Sequence, residues 1–492
     1  MTARRRAPLV LLGLDAADIG LVESQRAALP TLRRVLETAA VARLASTADL
    51  LTGSVWPTFA SGTLPGDHGV YHHLQWDAGA MRLRRVAQDW LDWQPFWVEL
   101  ERRGLEVAVL DVPMAYPARL ARGIEVTNWG SHDQLGPAVV HPPDVARELH
   151  RRFGRAHPMG AEIPVDKTPA QLARIRRNLV AGAARKGELV RWLLGLRDWD
   201  VLLAVFGETH RGGHILWPDV ESEPLEAVLD VYRALDAALG RVLDALPADA
   251  TVVVFSLHGM GPNRSQEHFV PAVMDRLNAA FGVGPARATG PAPARRGLVR
   301  WLREQVPAGV QNLVARAVPV AVRDEVMNRQ ITGGRDWATT PGLALLADSN
   351  GYVRWNLRGR ERDGMLAPDG DDLRRYVDRV RACLAGLRVV GTGEPLVADV
   401  VLSRDAFSGP RVDRLPDAVV TWSGVPPAAR VAAPELGELA AELATGRGGN
   451  HRAHGFCAIM GPADVRAHAA RLRHIVDLAP LVTKRLVRDD RG

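Results

Sequence analysis

Four unbroken apolar runs punctuate the chain: "LVLLGL" (9–14), "VAVLDV" (107–112), "VLLAVF" (201–206) and "TVVVF" (251–255). Each is short, and none alternates with polar residues, so each predicts a strand covered on both faces. Between them, apolar positions recur at helical spacing over 22–39, 170–197 and 223–246. Strands alternating with helices predict an α/β fold, a mostly parallel sheet sandwiched by helices. Sheets of this kind bind ligands beyond the carboxyl ends of their strands, which directs attention to the residues just past each run. Asp15 comes after the first, "PMAYPA" after the second, "GETHRGGH" after the third and "SLHG" after the fourth. Polar, metal-competent side chains thus stand past three of the four strand ends.

The pattern changes character over 264–335. "GVGPARATGPAPARRG" reads as a loop, and the residues after it as short helices. This predicts an inserted helical cap, 264–335, on a discontinuous core made of 1–263 and 336–485. From 341, "GLALLADSNGYVRWNLRG" returns to strand patterning, with Asn350–Gly351 predicting a hairpin turn.

Composition narrows the picture only a little. A chain of 492 residues, 47% hydrophobic, can bury a large core. Its two cysteines, Cys383 and Cys457, exclude a disulfide framework and suit a reducing compartment. The net charge of +6 is carried almost wholly by Arg, with Lys only at 167, 186 and 484. No basic run alternates with aromatics, which argues against a nucleic-acid polymer as partner. "MTARRRAPLVLLGLDAAD" mimics a signal peptide, but the apolar stretch is short, lacks a small-residue cleavage site and runs into Asp15. It reads as a first strand of a cytoplasmic protein. No apolar run reaches the roughly 18 residues of a membrane helix, so no membrane partner is expected.

Within "FGETHRGGHILW", His210 and His214 are four apart, one helical turn, which suits two imidazoles on one zinc. The glycines between them weaken the helix. His451, in "GNHRAHGF", comes after Gly448, Gly449 and Asn450 and would supply a third nitrogen. His454 is either a supporting group or simply exposed. In "LLTGSVWPTFASGTLPGDHGVYHH", residues 57–61 predict a short helix closed by Gly62. Thr52, Ser54 and Thr58 lie near its start, where a hydroxyl sees the positive end that also attracts phosphate, although such a hydroxyl is more often a plain cap. Trp56, Trp129 and Trp217 lie close to these motifs; core packing is the ordinary role of a tryptophan.

Taken in order, these residues resemble a known family. Asp after the first strand, a hydroxyl before "W..F.(S/T)G..P..HG", a paired ligand motif, "S.HG" and "G.HR" are similar to the type I phosphodiesterase/nucleotide pyrophosphatase branch of the alkaline phosphatase superfamily. "YVRWNLRGRERDGML" (352–366) and "PDAVVTW" (416–422) also resemble stretches of that branch. The resemblance implies an alkaline-phosphatase-like fold and a metal-dependent hydrolase of phosphoric esters, most simply a phosphodiesterase acting through a phospho-threonine. It places the nucleophile on Thr52, with Ser54 the nearer alternative by eye. It assigns His214 and His451 to a first metal, with Asp15, Thr52 and His258 to a second. It puts phosphate contact on His73; Arg452 is either a further group that stabilises charge on the phosphoryl oxygens or a plain surface residue. His68 matches a structural position. One or two divalent ions per chain are implied; the histidine-rich set leans to zinc. The partner implied is a small phosphate ester, and the oligomeric state stays open.

Two departures qualify the resemblance. His210 stands where the family usually has Asp, which keeps a plausible metal site. Leu257 stands where it usually has a second Asp, and an alkyl chain coordinates nothing. Glu208, His132 and Asp133 are candidates to replace the missing group. Alternatively the enzyme works with one metal, passes its phosphoryl group to an alcohol as a phosphotransferase or mutase, or retains the fold only to bind a ligand.

Overall fold

The computed structural model describes residues 7–154, 168–219, 222–281, 320–441 and 446–487. The four apolar runs form the middle of an eight-stranded sheet. Its order is Ala40–Ala45, His454–Met460, Thr251–Ser256, Leu9–Leu14, Val201–Phe206, Val107–Leu110, Ile124–Thr127 and Val139–His141. The strands from Thr251–Ser256 through Ile124–Thr127 are parallel. His454–Met460 and Val139–His141 run against their neighbours. A mostly parallel sheet between helical layers is the predicted fold class.

The missing alternation has a direct cause. Leu9–Leu14 is buried throughout, and its successive side chains serve two cores. Val10, Leu12 and Leu14 pack with Leu189, Leu193, Val231 and Leu235 of helices Pro169–Leu194 and Glu226–Leu243. Leu9 and Leu11 pack with Trp56, Phe59 and Leu100 on the other face. Burying one such side chain stabilises by about 1.5–3 kcal/mol, so both faces hold the strand.

Some predicted boundaries move. The helix expected over 22–39 is two, Ile19–Ser24 and Pro30–Thr38. Pro30 has no N–H to donate and keeps Leu29 out of helical geometry, so the chain breaks and restarts there. The second predicted strand stops at Leu110, because Asp111 adopts φ +56°.

A second, antiparallel sheet has the order Gly342–Leu345, Gly351–Trp355, Ala418–Trp422 and Val397–Leu402. The tight turn predicted at Asn350–Gly351 is instead a longer loop over 346–350. The Asn350 amide donates to the carbonyls of Asp49 at 2.7 Å and Leu50 at 3.2 Å, which ties the loop to the segment before Thr52. Of the expected cap, 282–319 lies outside the described residues. Helix Val270–Ala280 buries Val270, Val273, Met274 and Leu277 against the second sheet. No helix among the described residues is long and apolar enough to cross a membrane.

Candidate active site

Asp15 leaves the first strand fully buried. The Trp56 indole donates to its Oδ1 at 2.9 Å, and the Thr209 hydroxyl to its backbone carbonyl at 2.7 Å. Gly13 makes this possible, because a Cβ there would stand 3.3 Å from the Trp56 ring and 3.0 Å from that of Phe255. Trp56 therefore orients a carboxylate as well as filling the core.

Helix Glu208–Leu216 begins just past strand Val201–Phe206, and His210 and His214 share one face with ring centroids 4.7 Å apart. The glycines do not prevent this helix; they let another element lie on it. A Cβ on Gly213 would come within 2.4 Å of Met260, and one on Gly449 within 2.3 Å of the Gly213 carbonyl. Close against the helix runs a two-stranded ribbon, Gly259–Pro262 paired with Gly449–Arg452, in which Met260 stands opposite His451. The ribbon brings His451 Nε2 to 3.0 Å from His214 Nε2. His214 Nδ1 donates to the Gly449 carbonyl at 2.9 Å, which leaves its Nε2 with a lone pair. His258 stacks at 4.6 Å from His451, with its Nε2 3.9 Å from Asp15 Oδ1.

Electrostatics keep these rings neutral. Burial lowers His258 to about 4 and holds His214 and His451 well below the ordinary histidine range, with neighbouring cationic groups adding to it. Burial alone would raise the Asp15 carboxyl, but His210 and His132 beside it hold it well below the usual carboxylate range.

Thr52 opens a turn, Thr52–Ser54, that leads into helix Val55–Ser61. It lies one turn ahead of Trp56, and Gly53 presses on the backbone of Tyr71 and His72. The three nearby hydroxyls are sorted by their partners. Ser54 Oγ donates to the Leu51 carbonyl at 2.6 Å and pairs with Thr47 Oγ1 at 2.8 Å. Thr58 pairs with His68 Nε2 at 3.0 Å. Thr52 Oγ1 is buried with no hydrogen-bond partner among the described residues, and so are Nδ1 of His258 and of His451.

His73 stacks on His72 at 4.3 Å and stands 3.6 Å from Asp133; burial, then His72, lowers it to about 4. Arg452 is not brought in. Strand alternation turns it to the far face of the ribbon from His451, where it is exposed and lies against Gly261. His454 is exposed as well. A half-buried cation near the site is Arg447, which donates to Asp348 Oδ1 at 3.2 Å. Asp348 in turn lies 3.4 Å from His72 Nε2. Sequence reading passed over Asp111 and Lys186, a buried pair 3.0 Å apart. Asp111 was hidden inside an apolar run, and the only hint of Lys186 is the scarcity of lysine.

Among the described residues, two sets of side chains could each hold a cation: His210, His214 and His451, and Asp15, His132 and His210. Within each set the ligand atoms lie within 4.8 Å of one another. The donor set fits a borderline-soft divalent ion. Two imidazole nitrogens face each other at 3.0 Å, and neutral rings crowd where protonated ones would repel.

Fold and site together define a class: a doubly covered α/β sheet whose strand ends converge on a metal-competent histidine–aspartate cluster, with an unpartnered hydroxyl, Thr52, one turn ahead of the tryptophan that binds Asp15. The chain belongs to the type I phosphodiesterase / nucleotide pyrophosphatase family, whose model matches residues 9–421. It is thereby an enzyme, a hydrolase of phosphoric ester bonds. No curated protein matches it in sequence. Among solved structures it is similar to phosphonoacetate hydrolase from Sinorhizobium meliloti 1021 in complex with phosphonoformate, at 15% identity and TM-score 0.51, covering 97% of this chain and 96% of that one. It is also similar to an inactive form of murine ectonucleotide pyrophosphatase / phosphodiesterase 5 in complex with AMP, at 12% identity and TM-score 0.51, covering 97% and 94%.

Proposed function

We propose that the chain is a metal-dependent phosphodiesterase or nucleotide pyrophosphatase acting on a small phosphate ester through a phospho-threonine on Thr52. The observation that carries this reading is the Thr52 hydroxyl: buried, unpartnered, and one turn ahead of the tryptophan that binds Asp15, while Ser54 and Thr58 are both engaged. A buried hydroxyl without a partner costs about 1–3 kcal/mol, so its retention argues for use. Thr52 Oγ attacks phosphorus, an Oγ–P bond forms, and the bond to the leaving oxygen breaks. Water then attacks the phospho-threonine, returning the hydroxyl and releasing the phosphorylated product. His210, His214 and His451 would hold one divalent ion, and Asp15 with His258 would face another. Such an ion, when bound, withdraws charge from phosphoryl oxygens and lowers the pKa of coordinated hydroxyl groups. His214 is oriented for that role by Gly449, and Asp15 by Trp56. His73, 3.6 Å from Asp133, would meet phosphoryl oxygens.

The test is Thr52→Ala, assayed on activated phosphodiesters with zinc or manganese supplied. Turnover is expected to fall by roughly 10³-fold or more, with the melting temperature retained. Full activity in that variant would overturn the assignment. Production of a second phosphorylated alcohol in place of the hydrolysis product would move the reading to phosphoryl transfer.

A further inference from the structure

The loop after strand Ile124–Thr127 carries a histidine into the site, and its architecture holds that ring with unusual firmness. Asp111 Oδ1 accepts from the Trp129 amide at 2.7 Å, and Oδ2 from the Gly130 amide at 2.8 Å. Asp111 is itself held by Lys186, fully buried, which also donates to the Val205 carbonyl at 3.1 Å. Arg211 donates to the Ser131 carbonyl at 3.0 Å, and the Gln134 amide to that of Asn128 at 2.8 Å. Asn128 and Asp133 take φ +57° and +46°, a backbone region that Asn and Asp tolerate better than other side chains.

The outcome is the placement of His132. Its ring lies 3.6 Å, centroid to centroid, from that of His210, and its Nε2 is 2.5 Å from Asp15 Oδ2. The same oxygen lies 2.8 Å from His210 Nδ1. On the far side of the ring, Nδ1 pairs with Asp133 Oδ2 at 2.9 Å. One carboxylate braces Nδ1, while Nε2 faces the Asp15 oxygen that His210 also faces; an ion at that oxygen would take the place of the Nε2 proton, which is the arrangement of a supported metal ligand. The other candidates to replace the group lost at Leu257 do not offer this: Glu208 is buried on the side of Gly182 and Lys186, and Asp133 lies on the Nδ1 side of His132, away from Asp15.

We propose that His132 ligates a second divalent cation at Asp15, with Asp133 positioning its ring. The inference rests on the metal-dependent reading above and adds a ligand to it. The same loop thereby couples the buried Lys186–Asp111 pair to the metal site: the pair fixes the loop, and the loop fixes the ligand.

The experiment is metal stoichiometry. The full chain is stripped with chelator and titrated with Zn²⁺, then with Co²⁺, reading metal per chain by elemental analysis and the visible Co²⁺ absorption. The wild type is expected to take up two ions. His132→Ala is expected to take up one, with the circular dichroism of the stripped chain unchanged, and His132→Asp to recover the second. Two ions bound with unaltered affinity in His132→Ala would overturn the proposal. One ion in the wild type would also overturn it while leaving the Thr52 chemistry standing, and none would overturn both. Should His132→Ala not fold, Asp133→Asn keeps the ring in place and is expected to weaken the second ion about 10–100-fold; unchanged binding there would count against the proposal.

Discussion

Arg354, buried in the antiparallel sheet, and Arg360, half-buried in the turn that follows it, meet Glu361 and Asp417 on terms opposite to those of the histidines at the ends of the main sheet. Arg354 donates to Glu361 at 2.8 Å and to the carbonyls of Asp413 and Leu415. Arg360 grips Asp417 with two nitrogens, at 2.6 and 2.7 Å. The two carboxylates also accept the amides of Leu357 and Trp355. Opposite charges close on one another here, and nothing is left over for a ligand. In the strand-end cluster like groups crowd together instead. His210, His214, His258 and His451 share one small volume with a single carboxylate, Asp15, at its floor. Several polar atoms there have no partner. A buried polar group is kept either because it is satisfied or because it is used, and these two clusters show the two cases side by side.

The difference can be broken experimentally. The largest effect is expected at His214→Ala, which removes a nitrogen from the first set. Activity should fall by roughly 10²-fold or more, and metal content by one ion, with the fold retained; elemental analysis and turnover on the same sample would check it. Asp417→Ala should do the reverse. It removes one of the two carboxylates of half-buried Arg360, which keeps Glu361 at 3.0 Å, and the acceptor of the Trp355 amide, and should destabilise by roughly 1–3 kcal/mol, while metal per folded chain stays as in the wild type. Denaturant unfolding would show it, and a loss of metal without loss of stability would erase the contrast.

A third prediction concerns His68, which is structural and lies outside the cluster. Burial, with Arg411 nearby, lowers it from 6.5 to about 3. The unfolded chain therefore takes up its proton first as pH falls. The stability that neutral His68 provides is complete above about pH 6.5 and is lost through the window from 6.5 towards 3. Between pH 6.5 and 5 the loss should be ~2 kcal/mol, and His68→Gln should flatten the pH dependence of the melting curve by that amount. The smallest effect is expected at Ser54→Ala. Its two hydrogen bonds are local, so stability should drop by about 1 kcal/mol with turnover near wild type. A collapse of turnover there would move the nucleophile from Thr52 to Ser54.

Legibility tracked locality. The apolar runs at 9–14 and 201–206 coincide with strands to the residue, because a strand covered on both faces must be apolar at every position. Asp15, His210, His214 and His258 were visible because each stands close behind such a run, and the topology of a parallel sheet sends those ends to one side. His451 was visible as a histidine after glycines, but its arrival beside His214 depends on the glycine-lined contact between ribbon and helix. Arg452 was misplaced for the same reason: adjacent residues on a strand point to opposite faces, and only the pairing with Gly259–Pro262 says which face is the site.

The sequence by itself determined the α/β fold, the end of the sheet where chemistry gathers, and a set of imidazoles and hydroxyls suited to a cation and a phosphate. Those come from periodicity and from side-chain chemistry, which are local properties. Only the tertiary structure decided which hydroxyl is free, which cation lies near the site, and that His132 reaches Asp15 from a loop more than a hundred residues away in sequence. Hydrogen-bond satisfaction and close approach are properties of pairs distant along the chain, and a linear pattern does not record them until the chain is folded.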